Sequence, residues 1–267
     1  MIPPALKNGF GQFDLTIAHF MAVLSRLAYA EHDAIVKWIA ANQYDCRYLM
    51  ISVQNHQAVI FFFDRLTVVA FRGTEFDYED ILTDLKITRD RLERCSLGSV
   101  HSGFNAGAIA LADPIRNALE KYRHRGPLYF TGHSLGGALA QLVQWRLSHE
   151  DDIATYSFGS PRVGDGLYAL NYGSRYQHFR IVNASDIVPN VPPSTLGYEH
   201  GGSWYYITSG GEMITWPNFF RQLADQWWDV AKGLADGLTG GIPVRRFTRH
   251  RINEYVDRLA ALAVANG

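Results

Sequence analysis

Residues 129–143 read YFTGHSLGGALAQLV, and the change of period inside this stretch decides the fold. A short apolar run, PLYF at 127–130, ends at a serine set between glycines, and the helix-forming run GGALAQLVQWRL follows at 136–147. A strand that becomes a helix across Gly-His-Ser-Leu-Gly fits G-x-S-x-G, the elbow in which a strained turn lifts a serine hydroxyl clear of a sheet. Glycines beside the serine remove β-carbons that would collide in such a turn. The three-letter pattern is weak alone, because Ser134 would also serve as the N-cap of an ordinary helix. The strand before it and the helix after it favour the elbow.

Working outward, the same alternation continues on both sides. Upstream, YLMISVQN, AVIFFFD and RLTVVAFRG are β-branched and aromatic runs broken by polar pairs, and they read as consecutive strands of one sheet. FNAGAIALADPIRNALEKYRHRG reads as a helix closed by Gly126, kinked or broken at Pro114. Downstream come a strand at IATYSFGS, a helical stretch after Gly164, a strand at HFRIVNAS, and a hairpin from SWYYITS and EMITW. Helices near 218–236 and 249–264 finish the chain. Strands alternating with helices imply an α/β fold with a mostly parallel sheet covered on both faces, and such sheets bind ligands at the carboxyl ends of their strands.

A chain of 267 residues, 47% of them apolar, has material for a sizeable core, and one α/β domain over 1–267 is the simplest division. The formal net charge of −1 and the absence of a long Lys/Arg run argue against nucleic acid as a partner. Two cysteines, Cys46 and Cys95, make neither a disulfide framework nor a metal cluster. LTIAHFMAVLSRLAYAE has some features of a signal peptide, but His19, Ser25 and Arg26 interrupt it. Phe13, Ile17, Phe20, Leu24 and Leu27 fall at helical spacing, so it reads as a packed helix. With no leader, the expected location is cytoplasmic, or exported without cleavage. No run reaches the ~18 apolar residues that span a bilayer.

A serine hydroxyl needs a base to take its proton and an acid to orient that base. In a sheet of this kind the chain order is Ser, then Asp or Glu, then His. Asp186 stands just past a predicted strand, in IVNASDIVPNVPP, where prolines stiffen the loop. Asp165 in VGDG competes with it but reads as a loop residue before a helix. Two histidines compete for the base, His200 in GYEHGG and His250 in FTRHRINEYV, and spacing does not choose between them. One oxyanion donor falls to the backbone N–H of Leu135, the residue after the serine.

Six blocks in order, VVAFRGTE, VHSGF, GHSLGGALA, SFGSPRVGD, NASDIVP and HRINEYV, resemble the class 3 lipases, whose best-known members are the fungal triacylglycerol lipases. The resemblance implies an α/β-hydrolase that cleaves carboxylic esters of lipids through an acyl-enzyme, with Ser134 as nucleophile, Asp186 as orienting acid and His250, not His200, as base. It implies Thr74 as the second oxyanion donor and a short amphipathic lid over about 75–87, where Phe76, Tyr78, Ile81 and Leu82 alternate with acids. The implied partners are a lipid ester and, transiently, a lipid–water interface; no metal or organic cofactor is implied. The chain departs from many members in having Arg249 before the candidate base, and in lacking the usual leader and paired cysteines. An esterase, phospholipase A or feruloyl esterase would use the same framework, since pocket shape and not the triad selects the ester. A lipid-binding protein without catalysis is the remote alternative. The apolar stripe Phe220, Leu223, Trp227, Val230 and Leu234 reads as core-facing, with Phe219 and Trp228 off the stripe and free to wall an acyl site.

Overall fold

Strand β6 (Leu128–His133) and helix α4 (Leu135–Leu147) meet at Ser134, as the elbow requires. The computed structural model describes residues 10–73, 88–92, 98–122, 126–147, 153–184, 186–215 and 250–265. Around β6 lies an eight-stranded sheet in the order β1-β2-β3-β6-β7-β9-β11-β12. Its first three strands, β1 (Cys46–Val53), β2 (His56–Phe63) and β3 (Thr67–Phe71), form an antiparallel meander. From β3 onward, β6, β7 (Ile153–Phe158), β9 (Gln177–Asn183) and β11 (Ser203–Ile207) run parallel, and β12 (Met213–Thr215) closes the edge antiparallel.

Strands β3, β6 and β7 are largely apolar because both faces are covered, and alternate residues serve different layers. Val59, Phe61, Val68, Tyr129, Tyr156, Phe179 and Ile181 join the core shared with α1 (Leu15–Leu27) and the last helix, α6 (Ile252–Ala265). Ile60, Val69, Phe71, Leu128 and Phe130 join the core on the opposite face, with α3 (Ser102–Tyr122) and α4. Helix α1 is capped by Asp14, which accepts from the Ile17 amide at 3.0 Å. Its Ile17, Phe20, Leu24 and Leu27 are buried, the stripe read from the sequence.

Several features differ from the sequence reading. Helix α3 continues through Pro114 without breaking. A proline inside a helix removes a backbone hydrogen bond and crowds the preceding turn, together costing roughly 3 kcal/mol, and the flanking Leu111, Ala112, Ile115, Ala118 and Leu119 offset it by burial. Helix α2 (His32–Ala41) was not anticipated; only Ile35 of it is buried, so its stripe is too thin to read. A second, four-stranded sheet pairs β10 (Tyr198–Glu199), β8 (Gly164–Asp165), β5 (Ser99–His101) and β4 (Arg89–Arg91), strands too short to carry a period. His250 precedes the last helix by two residues instead of opening it. The expected helix at 218–236, Cys95 and the expected lid segment lie outside the described residues. Among the described residues, no helix is long and apolar enough to cross a membrane.

Candidate active site

Ser134 has a positive φ of 56°, a left-handed conformation that costs a non-glycine residue energy and persists only where its surroundings enforce it. Two hydrogen bonds do so. The Ser134 amide donates to the Phe158 carbonyl at 3.0 Å, tying the turn to β7, and the Gly137 amide donates to the Ser134 carbonyl at 2.9 Å. A β-carbon at Gly136 would lie 2.2 Å from the Phe71 carbonyl oxygen, so glycine lets the elbow sit against β3. Leu135 opens α4, and its amide belongs to the first turn, where no intrahelical acceptor exists.

Asp186 follows β9 at the carboxyl edge of the sheet. Its Oδ1 accepts from the Val188 amide at 3.0 Å, which folds the loop back toward the side chain. The Asp186 side chain is wholly buried, and His250 Nδ1 lies 2.9 Å from its Oδ2 and 3.1 Å from its Oδ1. A carboxylate can only accept, so Nδ1 carries the proton and Nε2 is left as the ring's acceptor. The structure therefore brings Asp186 and His250 together across 64 positions of sequence. It places His200 elsewhere: its Nε2 donates to the Pro189 carbonyl at 2.7 Å. Burial first, then the charges of Arg180 and Arg162, hold the His200 pKa well below the ordinary histidine value. Asp165 is the N-cap of α5 (Gly166–Arg175) and accepts from the amides of Tyr168 and Ser99 at 2.9 Å, so it is committed to structure.

Two groups that sequence reading missed complete the arrangement. Tyr255, on α6, donates its hydroxyl to Asp186 Oδ2 at 2.6 Å and accepts from the Asn183 amide at 3.1 Å. Burial and the neighbouring carboxylate raise its pKa well above the ordinary tyrosine value, which keeps the donor protonated. His133, the x of the elbow, lies with its ring centroid 4.5 Å from that of His250. Its Nε2 donates to the His250 backbone carbonyl at 2.5 Å, and its Nδ1 accepts from the Tyr29 hydroxyl at 3.0 Å. Burial, then His250, push the His133 pKa well down, so it serves as a neutral strut that seats the His250 backbone on the elbow. The block HRINEYV held the signal for Tyr255. His133 had none beyond its place in the elbow.

Thr74, Phe76, Tyr78, Ile81 and Leu82 lie outside the described residues. Strand β3 pairs in parallel with β6, Phe71 opposite Gly132, so Arg72 and Gly73 leave the sheet at the edge that carries Ser134.

A serine at a left-handed strand–helix turn, with an Asp–His pair at the carboxyl edge of a mostly parallel sheet, defines the α/β-hydrolase class. Residues 68–196, which hold the elbow and the Asp186 loop, match the family model described as lipase (class 3). Similar proteins include a secreted mono- and diacylglycerol lipase of Fusarium solani, 29% identical over 149 residues, covering 54% of this chain and 44% of that protein. A lipase of Rhizomucor miehei is 31% identical over 158 residues, covering 54% and 42%. A crystal structure of a lipase from Rhizopus microsporus var. chinensis superposes with a TM-score of 0.61 at 25% identity, covering 77% of this chain and 79% of that one. A second structure, described as a triacylglycerol lipase whose catalytic centre is a serine protease triad, superposes at 0.62 and 25% identity, covering 75% and 82%. The chain spans about two fifths of the length of the curated relatives it matches.

Proposed function

We propose that this chain hydrolyses carboxylic esters of lipids, with acylglycerols as the substrate class. The observation that carries the proposal is the pair His250–Asp186, buried and tautomerically set, on the sheet edge that also holds the strained Ser134. In this reading His250 Nε2 takes the Ser134 hydroxyl proton while Oγ attacks the ester carbonyl. The same proton then goes to the leaving alcohol, which departs and leaves an acyl-Ser134 ester. Water attacks that ester with His250 again as base, releasing the carboxylic acid and restoring Ser134. Asp186 holds the ring and stabilises its charged form. The Leu135 amide is one donor to the developing oxyanion, and Thr74 is the second; preformed donors of this kind contribute about 3–4 kcal/mol each.

Acylglycerols are preferred to other esters because the relatives matched across the elbow and the Asp186 loop carry lipase names. The segment 75–87 is the proposed lid, which would hide an apolar acyl site in water and expose it at an oil surface. The test is hydrolysis of emulsified triolein, tributyrin, phosphatidylcholine and methyl ferulate, with Ser134→Ala alongside and a fluorophosphonate probe for the serine. Triolein cleavage that rises above the solubility limit and vanishes in the mutant is the expected result. Cleavage of dissolved short esters alone makes the chain an esterase. A probe that leaves Ser134 unlabelled removes the mechanism.

A further inference from the structure

The face of β9 and β11 turned away from α1 carries polar side chains inside the fold. Phe179, Ile181 and Ile207 point into the core shared with α1 and α6, so their alternates Arg180, Val182, Trp204 and Tyr206 take the other face. Trp204 stands opposite Arg180, and Tyr206 opposite Val182. The loop from Asp186 to His200 crosses this face and encloses a cavity of about 280 Å³, whose lining includes Arg162, Arg180, Val182, Pro189, Trp204 and Tyr206.

Arg180 is the unusual member of this wall. It is only 6% exposed, on a strand paired on both sides, and its Nε has no acceptor. It forms no ion pair among the described residues. Its guanidinium carbon lies 5.6 Å from the Trp204 ring centroid, and the Trp204 indole N–H is likewise buried without an acceptor. The neighbouring Arg162 donates to the carbonyls of Asn190 and Pro192, and its charge is answered only at longer range by Glu199.

Two acids touch the cavity, and neither answers Arg180. The Asp186 carboxylate is fully buried and engaged by His250, Tyr255 and Val188. Glu199 is exposed and makes no ion pair with either arginine among the described residues. Burial, then Arg162, push the Arg180 pKa down to about 9, the direction an uncompensated buried cation takes. A buried charge without a partner is costly, and an anion delivered from solvent would relieve it. Val182, Ala184, Pro189 and the ring of Tyr206 give the cavity an apolar side, while Asn190 and His200 add neutral polar groups to its lining.

We propose that this cavity binds a small organic carboxylate, its oxygens on the Arg180 guanidinium and the Trp204 indole N–H and its short hydrocarbon body against Val182, Pro189 and Tyr206. Guanidinium and carboxylate match in shape and charge, and the apolar side formed by Val182, Ala184 and Pro189 favours a carbon-bearing anion over an inorganic one. The cavity borders the candidate site at Asp186, but the proposal does not depend on ester hydrolysis.

The test is a titration of the full chain with butyrate at constant ionic strength, read by tryptophan fluorescence and by thermal shift, with inorganic phosphate in parallel. A saturable response to butyrate, a rise in Tm and a Kd weakened by about tenfold or more in Arg180→Met are expected. Trp204→Phe keeps an aromatic ring at this position and removes the indole N–H, so it should weaken binding measured by thermal shift. No saturable response to butyrate in the unmodified chain overturns the proposal. So does saturation by phosphate with none by butyrate, which would make the cavity an inorganic oxyanion site. If Arg180→Met does not fold, Trp204→Phe decides: an unchanged Kd for butyrate overturns it.

Discussion

Tyr255 and the catalytic candidate His250 meet on one oxygen of Asp186: the Tyr255 hydroxyl donates to Oδ2 at 2.6 Å and also receives the Asn183 amide at 3.1 Å, while His250 Nδ1 lies 2.9 Å from the same Oδ2. One phenol on the last helix thus ties the end of β9 to the carboxylate just beyond it. Tyr255→Phe keeps the ring and leaves both the Asn183 amide and one carboxylate lone pair without their partner. Unmade buried hydrogen bonds cost about 1–3 kcal/mol, so urea denaturation should show a loss of that size. Ester turnover should fall much less than in the triad variants, because His250 still reaches Asp186.

Asp186→Asn tests the tautomer. With the carboxylate replaced by an amide, Nδ1 of His250 no longer has a charged acceptor, and the proton can move to Nε2, where it blocks base action. The expected drop in kcat is on the order of 10³–10⁴-fold with little change in KM, following the behaviour of serine triads in general. The check is steady-state kinetics on p-nitrophenyl butyrate. A decrease below tenfold would remove Asp186 from the mechanism.

Gly159 has φ of +57°, and a β-carbon there would lie 2.6 Å from Asp186 Oδ2 and 3.1 Å from His250 Nδ1. Gly159→Ala therefore meets both an unfavourable backbone conformation and the Asp–His pair. A destabilisation of more than about 1 kcal/mol is expected, and displacement of the base should cost on the order of 10²-fold in kcat. Circular dichroism melting and ester kinetics on the same preparation separate the two effects.

Acid stability follows from histidines that are buried neutral. Burial, then Arg180, hold His178 down to about 3, and His133 and His200 are also depressed. Below the ordinary histidine pKa of about 6.5 the unfolded chain takes up protons that the folded chain refuses, so stability falls as pH drops. Each such group contributes up to about 1.4 kcal/mol per pH unit, beginning near pH 6.5 and ending at its folded pKa. Urea midpoints should fall from pH 7.5 to pH 4.5. His178→Gln should flatten the slope, provided its contact with Ser157 at 2.8 Å is kept by the amide.

What could be read in the sequence was what local backbone chemistry encodes. GHSLG between an apolar run and helix formers predicts the turn at Ser134, and the structure has the strained φ such a turn needs. The apolar runs at β3, β6 and β7 predict doubly covered parallel strands, because burial on both faces leaves no room for alternation. Asp186 was legible for a similar reason, as a carboxylate in a stiff loop past a strand end. Strands of two or three residues, and a helix with one buried side chain, left no period to detect.

The pairing of side chains across the chain was decided only by tertiary structure. From the residues alone, His200 and His250 were equal candidates for the base. Packing of α6 against α1 and the sheet brings His250 to Asp186, while the crossing of the 186–200 loop turns His200 to Pro189. Tyr255 and His133 entered the site by the same route, as did Arg180 its cavity. Periodicity specifies which face of an element is buried; which polar group meets which depends on how those faces stack, and that is a property of the assembled core.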